Sequence, residues 1–349
     1  MNRTKILLLF GGESSEHDVS IASARNVNAA IDREKFEVYP CYIDRAGKWW
    51  LLDSFSAQGI ETGNAQELLP VLGDAKLRRA HDDTDLAVDV IVPILHGRNG
   101  EDGTVQGLAQ LLHIPIVGCD VTASGVAMNK LACKEILFAH NLPVIPYVAH
   151  REYEDVPHFA EVTAQLGDTL FVKPARAGSS VGVHKVRNEE EFADALADAH
   201  LHDSIVLIEQ AMAGRELEVA ILGTPPHHRV SGVGEVIPGE EFYTYEDKYS
   251  ASSQAQVRVD AAIDPVLKDT VRDIAAAAYK ALDCRGLARI DFILDKDDKP
   301  WVMEVNTLPG FTNISMYPKL WENEGVSYSQ LIEMLIDDAL QNGTMKAVS

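Results

Sequence analysis

The residues best suited to chemistry lie in two strand-like runs near the C-terminus, LARIDFIL and PWVMEVN, which a polar DKDDK segment separates. If the runs pair as an antiparallel hairpin about this turn, Asp291 lies opposite Glu304, and Arg289 lies opposite Asn306. Side chains two residues apart share a face, so all four project from one side of the sheet. Two opposed carboxylates repel, and a divalent cation removes that repulsion. Oxygen ligands with few carboxylates suit Mg²⁺ that is shared with phosphates.

The alternative for this hairpin is a solvated outer face on which Arg289 neutralises one of the acids. In the same register Ile293 and Val302 share the face with the polar residues. Two apolar side chains on that face weigh against full solvation, so the pattern favours a magnesium site.

A lysine followed by a glycine-serine loop forms a candidate phosphate site. Lys173 stands within the apolar run LFVKP. Burying an unpaired ammonium is costly, so its ammonium group either extends to solvent or meets an anion. The loop GSSVG (178–182) follows; its glycines permit close backbone approach, and its hydroxyl and amide groups can bind phosphate oxygens. A flexible loop explains GSSVG equally well, so the prediction depends on both features together. The sequence contains no GxxxxGK[ST], and GGESSEH is not GxGxxG.

Polar residues also follow other predicted strands. Glu209 ends the run VLIEQ and could accept hydrogen bonds from adenine or ribose, although a strand-end glutamate is commonly solvated. Glu16 follows the first strand, and His96 and Glu101 lie in HGRNGEDG after another strand. A glycine-rich polar loop can be a simple turn, but two such loops at one edge of a sheet indicate a crevice.

Strands that alternate with helices predict an α/β fold with an open parallel sheet at the N-terminus. The predicted strands are 5–12, 36–43, 88–95 and 114–117, and the predicted helices are 19–31 (capped near Asp18 or Ser20), 103–112 and 128–140. The segment 225–228 predicts a hairpin turn with solvated histidines. We place domain boundaries at 1–121, 122–215 and 216–349.

Length and composition restrict the class of protein. The 349 residues fit two or three domains, and 46% hydrophobic residues can form sizeable cores. A net charge of -22 argues against a nucleic-acid partner. The four cysteines show no metal-binding spacing, so we expect a reduced, cytoplasmic protein without zinc or disulfides. No apolar run is long enough for a membrane span or a signal peptide.

Taken together, the motifs resemble those of D-alanine–D-alanine ligases of the ATP-grasp superfamily over essentially the whole chain. The order and spacing of the motifs agree as well. They are HGRNGEDGTVQG (96–107), MNKLACK (128–134), FVKPARAGSSVGV (171–183), EFYTYEDKYS (241–250), LARIDF (287–292) and EVNTLPGFTNISMYPK (304–319). The resemblance implies a Rossmann-like substrate-binding domain, a two-lobed ATP-grasp fold with ATP between the lobes, and a homodimer. Gln210 and Ala211 depart from the family pattern and affect only the adenine-pocket lining.

The resemblance also implies roles for individual residues. ATP would be held by Lys130, Lys173, Ser180, Glu209, Met212, Glu216 and Lys248, with the two glutamates on adenine and ribose. Two Mg²⁺ ions, for which Mn²⁺ can substitute, would be bound by Asp291, Glu304 and Asn306. The D-alanine substrates would meet Glu16, His96, Glu101, Ser315 and Met316. The tetrahedral intermediate would be stabilised by Arg289 and the Gly310 amide, and a hydrogen-bond chain would join Glu16, Ser179 and Tyr249.

The function implied is ATP-dependent ligation of two D-alanine molecules through an acyl phosphate, for peptidoglycan precursor synthesis. Phosphoryl transfer requires cations that neutralise the charge on the phosphate oxygens. The segment 239–252 is the predicted lid that excludes water. A ligase that makes D-alanyl-D-lactate or D-alanyl-D-serine is the close alternative. A dehydrogenase and a catalytically silent ATP-binding regulator are the distant ones.

Overall fold

The computed structural model describes residues 3–55, 60, 63–237 and 256–342, and these form three sheets with their flanking helices. The sheets have seven, four and five strands. No helix in these ranges is long and apolar enough to cross a membrane.

The seven-stranded sheet belongs to the N-terminal part of the chain and has the order β6-β5-β4-β3-β2-β1-β7. Its strands are β1 (Thr4–Gly11), β2 (Phe36–Ile43), β3 (Trp49–Leu51), β4 (Gln66–Val71), β5 (Lys76–Arg79), β6 (Asp85–Ala87) and β7 (Val90–Ile94). The parallel core predicted from the sequence is confirmed, because β1 pairs in parallel with both β2 and β7. Strands β3 to β6 extend it as an antiparallel ribbon that the sequence analysis did not predict. The predicted strand 114–117 is reduced to one bridge between Ile91 and Ile116.

The first two helices are α1 (His17–Ala30) and α2 (Thr104–Leu112). The expected cap of α1 at Asp18 or Ser20 is wrong, because the helix starts at His17 and Glu16 occupies the cap position, where its side chain does not cap the helix. Ser20 lies inside the helix instead. Its Oγ accepts from the Gly11 amide at 2.7 Å and donates to the carbonyl of Ile94. Ser20 therefore ties together the C-terminal ends of β1 and β7.

The four-stranded sheet has the order β10-β9-β11-β8. Its strands are β8 (Tyr147–Arg151), β9 (Leu170–Pro174), β10 (His184–Val186) and β11 (Ile205–Gln210), and the associated helices are α3 (Val121–Met128), α4 (Lys130–Ala139), α5 (Phe159–Leu166) and α6 (Glu189–His202). The predicted helix 128–140 begins two residues later, at Lys130. Asn129 caps it by accepting from the Ala132 amide at 3.3 Å, and Met128 ends the preceding helix.

The five-stranded sheet has the order β14-β13-β12-β15-β16. Its strands are β12 (Gly214–Leu222), β13 (Arg229–Ile237), β14 (Gln256–Arg258), β15 (Leu287–Asp295) and β16 (Pro300–Asn306), and the helices are α7 (Pro265–Ala281), α8 (Met316–Asn323) and α9 (Tyr328–Asn342). The predicted turn 225–228 does connect β12 to β13. His227 is exposed as expected, but His228 is half-buried against Tyr279, with ring centroids 5.8 Å apart, and burial lowers its pKa.

The β15–β16 pair, called here the C-terminal hairpin, has the register predicted at its functional end. Asp291 pairs with Glu304 and Arg289 with Asn306. Beyond Asp291 a β-bulge shifts the register, so Val302 pairs with Phe292 and not with Ile293. The prediction that Ile293 and Val302 share a face is therefore wrong. A bulge adds one residue to one strand, and alternation in the sequence does not reveal it.

One hydrophobic cluster joins the N-terminal sheet to the C-terminal helices. It contains Val27 of α1, Val92 of β7 and Ile332 and Leu335 of α9, all at most 5% exposed. Because interiors pack closely and resist sliding, this cluster fixes the loops after β1 and β7 relative to the C-terminal hairpin.

Candidate active site

The C-terminal hairpin carries a charged cluster on the face predicted from the sequence. The guanidinium of Arg289 donates to both oxygens of Asp291, each at 2.7 Å. The side-chain amide of Asn306 donates to Asp291 at 2.9 Å and lies 3.5 Å from Glu304. Asp291 is only 4% exposed. The strand ladder thus brings a buried carboxylate, a second carboxylate and an amide together.

The chemistry of these side chains fits Mg²⁺. Two carboxylates and an amide oxygen are hard donors, and Mg²⁺ beside phosphates takes one or two protein carboxylates and completes its shell elsewhere. In the described part of the chain no group of three or more His, Cys, Asp or Glu could hold a metal ion by itself. Arg289 does neutralise Asp291, as the alternative predicted, but Asp291 is buried, so this face of the hairpin is not the solvated outer face of that alternative. Asp291, Glu304 and Asn306 therefore remain the residues that would hold Mg²⁺.

Lys130 lies between this cluster and the glycine-serine loop. Its Nζ donates to the carbonyl of Ala177 at 2.8 Å and lies 3.9 Å from a Glu304 oxygen. Burial lowers the pKa of Lys130, although Glu304 opposes that effect. An ammonium in this position, at the start of α4, can reach an anion bound beside the loop.

Lys173 and Glu209 are paired in the structure. The ammonium of Lys173 is 2.7 Å from one oxygen of Glu209, and the ammonium of Lys134 is 2.9 Å from the other. Burial alone would raise the pKa of Glu209, but the two lysines hold it below its ordinary value. The sequence analysis left two outcomes for Lys173, exposure to solvent or contact with an anion, and the structure shows the second. It did not foresee Lys134. The spacing of Lys130 and Lys134, four residues apart on α4, could have indicated it, since such residues share a helix face.

The loops after β1 and β7 meet the glycine-serine loop at Glu16. A methyl group built on Gly178 would lie 3.5 Å from the Oε2 of Glu16, and one on Gly97 would lie 2.9 Å from the same atom. Glu16 is 8% exposed. Both glycines allow the carboxylate to approach the backbone closely. The predicted crevice at the edge of the parallel sheet is thus lined on its far side by the loop predicted to bind phosphate.

His96 and Glu101 lie in the same crevice. The Nδ1 of His96 is 3.2 Å from the carbonyl of Leu308 and 3.7 Å from Glu101. Burial alone would lower the pKa of His96, but its pairing with Glu101 raises it. Glu101 in turn accepts from the Gly97 amide at 3.1 Å. His96 therefore links the loop after β7 to the segment that follows β16.

That segment carries the remaining predicted substrate residues. The Oγ of Ser315 lies 2.8 Å from the Thr312 hydroxyl, and a methyl group on Gly310 would lie 3.1 Å from it. Met316 is 4% exposed and packs over β13, where a methyl group on Gly234 would lie 2.7 Å from its sulfur. Gly310 and Ser315 therefore lie side by side at the start of α8.

The remaining residues predicted from the sequence lie around the start of β12, in the glycine-serine loop, or outside the described residues. Met212 and Glu216 are half-buried around the start of β12. Ser180 is exposed, and within the described residues the buried Oγ of Ser179 has no hydrogen-bond partner. Two further residues, Lys248 and Tyr249, lie outside the described residues, as does the predicted lid 239–252.

Comparison with known proteins gives the family. A profile described as the D-ala D-ala ligase N-terminus matches residues 5–119, and one described as the D-ala D-ala ligase C-terminus matches residues 136–337. The chain belongs to the D-alanine–D-alanine ligase family. The D-alanine--D-alanine ligase A of Chromobacterium violaceum is 44% identical to this ligase over 357 residues, which cover 99% of this chain and 97% of that protein.

Solved structures agree with this ligase family. The D-alanine-D-alanine ligase from Coxiella burnetii has a TM-score of 0.89 at 32% identity, covering 98% of this chain and 95% of that one. The D-Ala:D-Ser ligase from Enterococcus faecalis has a TM-score of 0.87 at 32% identity, covering 97% and 100%. The predicted fold class, an α/β N-terminal sheet followed by an ATP-grasp fold, is confirmed. Membership of this ligase family also implies the use of ATP.

Proposed function

We propose that this chain joins two D-alanine molecules into D-alanyl-D-alanine, with release of ADP and phosphate, for the synthesis of peptidoglycan precursors. The observation that carries this proposal is the meeting of Glu16 with the glycine-serine loop. A buried carboxylate suited to an ammonium group lies beside a loop suited to phosphate, 3.5 Å from a methyl position on Gly178. Phosphorylation of an amino acid needs those two groups side by side.

The first step we propose is transfer of the γ-phosphoryl group of ATP to the carboxylate of the first D-alanine, which gives an acyl phosphate. Glu16 would hold the ammonium of that D-alanine. Lys130, Lys173, Lys248 and the loop containing Ser180 would hold the phosphates. Mg²⁺, when bound at Asp291, Glu304 and Asn306, would supply positive charge against the phosphate oxygens. Glu209, Met212 and Glu216 would hold adenosine.

The second step is attack by the amine of the second D-alanine on the acyl phosphate. Ser315 would hold the carboxylate of this substrate, beside His96, Glu101 and Met316. Negative charge then develops on the carbonyl oxygen, and Arg289 and the Gly310 amide would donate hydrogen bonds to it. Removing one such donor typically costs about 3 kcal/mol of transition-state stabilisation. Loss of phosphate completes the peptide bond.

Three further features belong to this proposal. The domain boundaries are those placed from the sequence, at 121 and 215. The active form is a homodimer in the cytoplasm. Tyr249 and Ser179 would complete a hydrogen-bond chain with Glu16 that holds the lid closed, while simple packing of Tyr249 against the loop is the alternative.

The close alternative remains a D-lactate or D-serine acceptor. The chain is also similar to the D-Ala:D-Ser ligase from Enterococcus faecalis, with a TM-score of 0.87. This alternative therefore has to be tested. The comparisons favour D-alanine, and they give no support to a dehydrogenase. A silent regulator is disfavoured because Arg289, Asp291 and Glu304 are all present on one face.

The test is an assay of phosphate release with D-alanine, D-serine and D-lactate as acceptors, followed by identification of the product. We expect D-alanyl-D-alanine as the main product at neutral pH, and phosphate release that depends on D-alanine. A main product containing D-lactate or D-serine would contradict the substrate assignment. ATP hydrolysis that no acceptor stimulates would contradict the ligase assignment.

A further inference from the structure

Three acidic side chains lie in one row across the five-stranded sheet, and one of them has no role in the proposed function. The register pairs Glu218 of β12 with Asp291 of β15, and Asp291 with Glu304 of β16. Directly paired residues point to the same face, so all three carboxylates lie on the side of the proposed metal ligands. Glu218 is 8% exposed. The protein therefore buries a third acid beside two that already repel each other.

Arg289 is the cation that this row surrounds. Its Nε donates to Asp291 at 2.7 Å, and the same Nε is 3.1 Å from an oxygen of Glu218. Its cross-strand neighbour on β12 is Ala220, whose small side chain leaves the guanidinium room to lean towards Glu218. Burial alone would lower the pKa of Arg289, but Asp291 and Glu218 raise it well above its ordinary value. A permanently charged group thus has two carboxylates near one N–H donor.

On the side of Glu218 away from Asp291, the row ends at the side chain of Met316. Gly234 of β13 pairs with Glu218 on the side away from Asp291, and Met316 packs where a side chain on Gly234 would stand. Glu218 is therefore confined between Met316 and the guanidinium. Arg289 Nε already lies 3.1 Å from an oxygen of Glu218, so the guanidinium is within reach of that carboxylate.

Asp291 faces a conflict under the proposed function. The two oxygens that now accept hydrogen bonds from Arg289 are the same oxygens that would bind Mg²⁺. A metal ion there competes with the guanidinium for the lone pairs of Asp291, and a buried guanidinium that loses an acceptor is costly. Yet Arg289 must stay in place to meet the developing oxyanion.

We propose that Glu218 is a positioning residue that holds Arg289 when Asp291 turns to a metal ion, and so keeps the guanidinium aimed at the reacting carbonyl. This inference rests on the proposed function. It assigns the third acid of the row a task that neither metal binding nor substrate binding gives it. Glu218 acts through Arg289 and does not itself touch the substrate.

Arginine Nε–H exchange with water, followed by NMR on ¹⁵N-arginine-labelled enzyme, tests the proposal without relying on turnover. The Arg289 resonance is the one that disappears in Arg289→Lys. In the wild-type enzyme we expect slow exchange both before and after addition of Mg²⁺ with a non-hydrolysable ATP analogue. In Glu218→Gln we expect slow exchange before the addition, because Asp291 still holds Arg289. After the addition, exchange should be at least about tenfold faster.

The matched control is Glu235→Gln. Glu235 is also a buried glutamate of this sheet, 5% exposed and held by Arg215 at 2.7 Å, but it pairs with Leu217 and so lies on the opposite face. This variant should behave as wild type with and without the nucleotide. If Glu218→Gln does not fold, Glu218→Asp keeps the charge and shortens the reach, and it should show faster exchange only with the metal nucleotide.

Kinetics supply the second measurement. We expect Glu218→Gln to lower kcat about ten- to a hundredfold with little change in the KM for ATP, because a misplaced oxyanion donor affects the transition state and not nucleotide binding. Slow exchange retained in Glu218→Gln with the metal nucleotide would overturn the proposal. Fast exchange already present without it would do so too, since Asp291 would then not be the first holder. Because exchange is read without product, a chain that makes no D-alanyl-D-alanine would refute the proposed function separately.

Discussion

The C-terminal hairpin and the glycine-serine loop are the two regions proposed to act on phosphate, and they are held in different ways. In the hairpin, side chains carry the chemistry, and the strand ladder fixes Asp291 opposite Glu304. In the loop, the backbone carries the chemistry, and Ser179 and Ser180 adopt φ angles of 52° and 60°. Such angles are uncommon for residues other than glycine. Substitutions in the hairpin should therefore act through charge, and substitutions in the loop should act through shape.

The largest effect is expected at the hairpin. Glu304→Gln should lower turnover at least about a hundredfold, because a metal ligand and its charge are lost. The thermal unfolding midpoint should stay the same or rise, since one of two opposed charges is removed. Asp297→Asn, in the exposed turn of the same hairpin, is the control and should leave both quantities unchanged. Wild-type ligation by Glu304→Gln at ordinary Mg²⁺ would show that the hairpin is not the metal site.

The second prediction concerns Glu209, the buried carboxylate that is paired with Lys134 and Lys173 near the loop. Lys134→Met should destabilise the fold by about 3 kcal/mol at neutral pH, as expected when one partner of a buried ion pair is removed. The pKa of Glu209 is lowered in the folded chain, so its stabilising contribution is complete above its ordinary pKa and is lost as pH falls through the folded value.

Urea unfolding at pH 7 and at pH 4 measures this effect. With Lys134 removed, the pKa of Glu209 should be lowered less, so the variant should lose less stability on acidification than the wild type. Lys296→Met, at an exposed lysine of the hairpin turn, is the control. An equal loss on acidification in Lys134→Met and wild type would show that Lys134 does not stabilise the charged form of Glu209.

The third prediction concerns the shape of the loop. Gly182 has a φ of +67°, and a methyl group there would lie 2.9 Å from the Pro174 ring and 2.8 Å from His202. Gly182→Ala should therefore displace the loop and raise the KM for ATP about tenfold. Gly167→Ala carries similar backbone strain, at φ +92°, but a methyl group there meets nothing within 4 Å. If the two variants raise the KM equally, general strain and not loop shape is the cause.

The smallest effect is expected at Tyr249, where a substitution should change the choice of the second substrate. Tyr249→Phe removes one proposed hydrogen bond worth about 1 kcal/mol, so the ratio of D-alanyl-D-lactate to D-alanyl-D-alanine should rise about fivefold. The rise should be clearest at low pH, where the competing amine is protonated and unreactive. Both acceptors are supplied together from pH 6 to about pH 9, and the products are counted. An unchanged ratio would mean that Tyr249 only packs the loop.

The sequence was most informative in the strands, where successive side chains alternate between the two faces of the sheet. Strand alternation and a polar turn were enough to place Arg289, Asp291 and Glu304 on one face, because a side-chain period of two leaves few registers. The parallel core of the first sheet followed from apolar runs that end in glycine-rich loops. The bulge after Asp291 could not be foreseen, since it depends on packing of Val302 against Phe292 and neighbouring core residues.

Contacts between residues that are far apart in the chain could not be predicted from the sequence either. The pairing of Lys134 with Glu209 joins a helix to a strand more than seventy residues later, and no local pattern encodes that distance. The meeting of Glu218 with Arg289 depends on the order of β12 and β15 in the sheet. The ribbon β3 to β6 consists of short, mixed strands whose alternation is weak. Tertiary context decided each of these features.

The central claim, ligation through an acyl phosphate formed on D-alanine, is tested most directly by isotope transfer. D-alanine labelled with ¹⁸O in its carboxyl group is supplied with ATP, and the released phosphate is examined by mass spectrometry. Phosphoryl transfer joins a carboxyl oxygen to phosphorus, and attack by the second amine breaks the carbon–oxygen bond. The account therefore predicts one ¹⁸O in the phosphate for each dipeptide formed from fully labelled D-alanine. Dipeptide formation with unlabelled phosphate would contradict it.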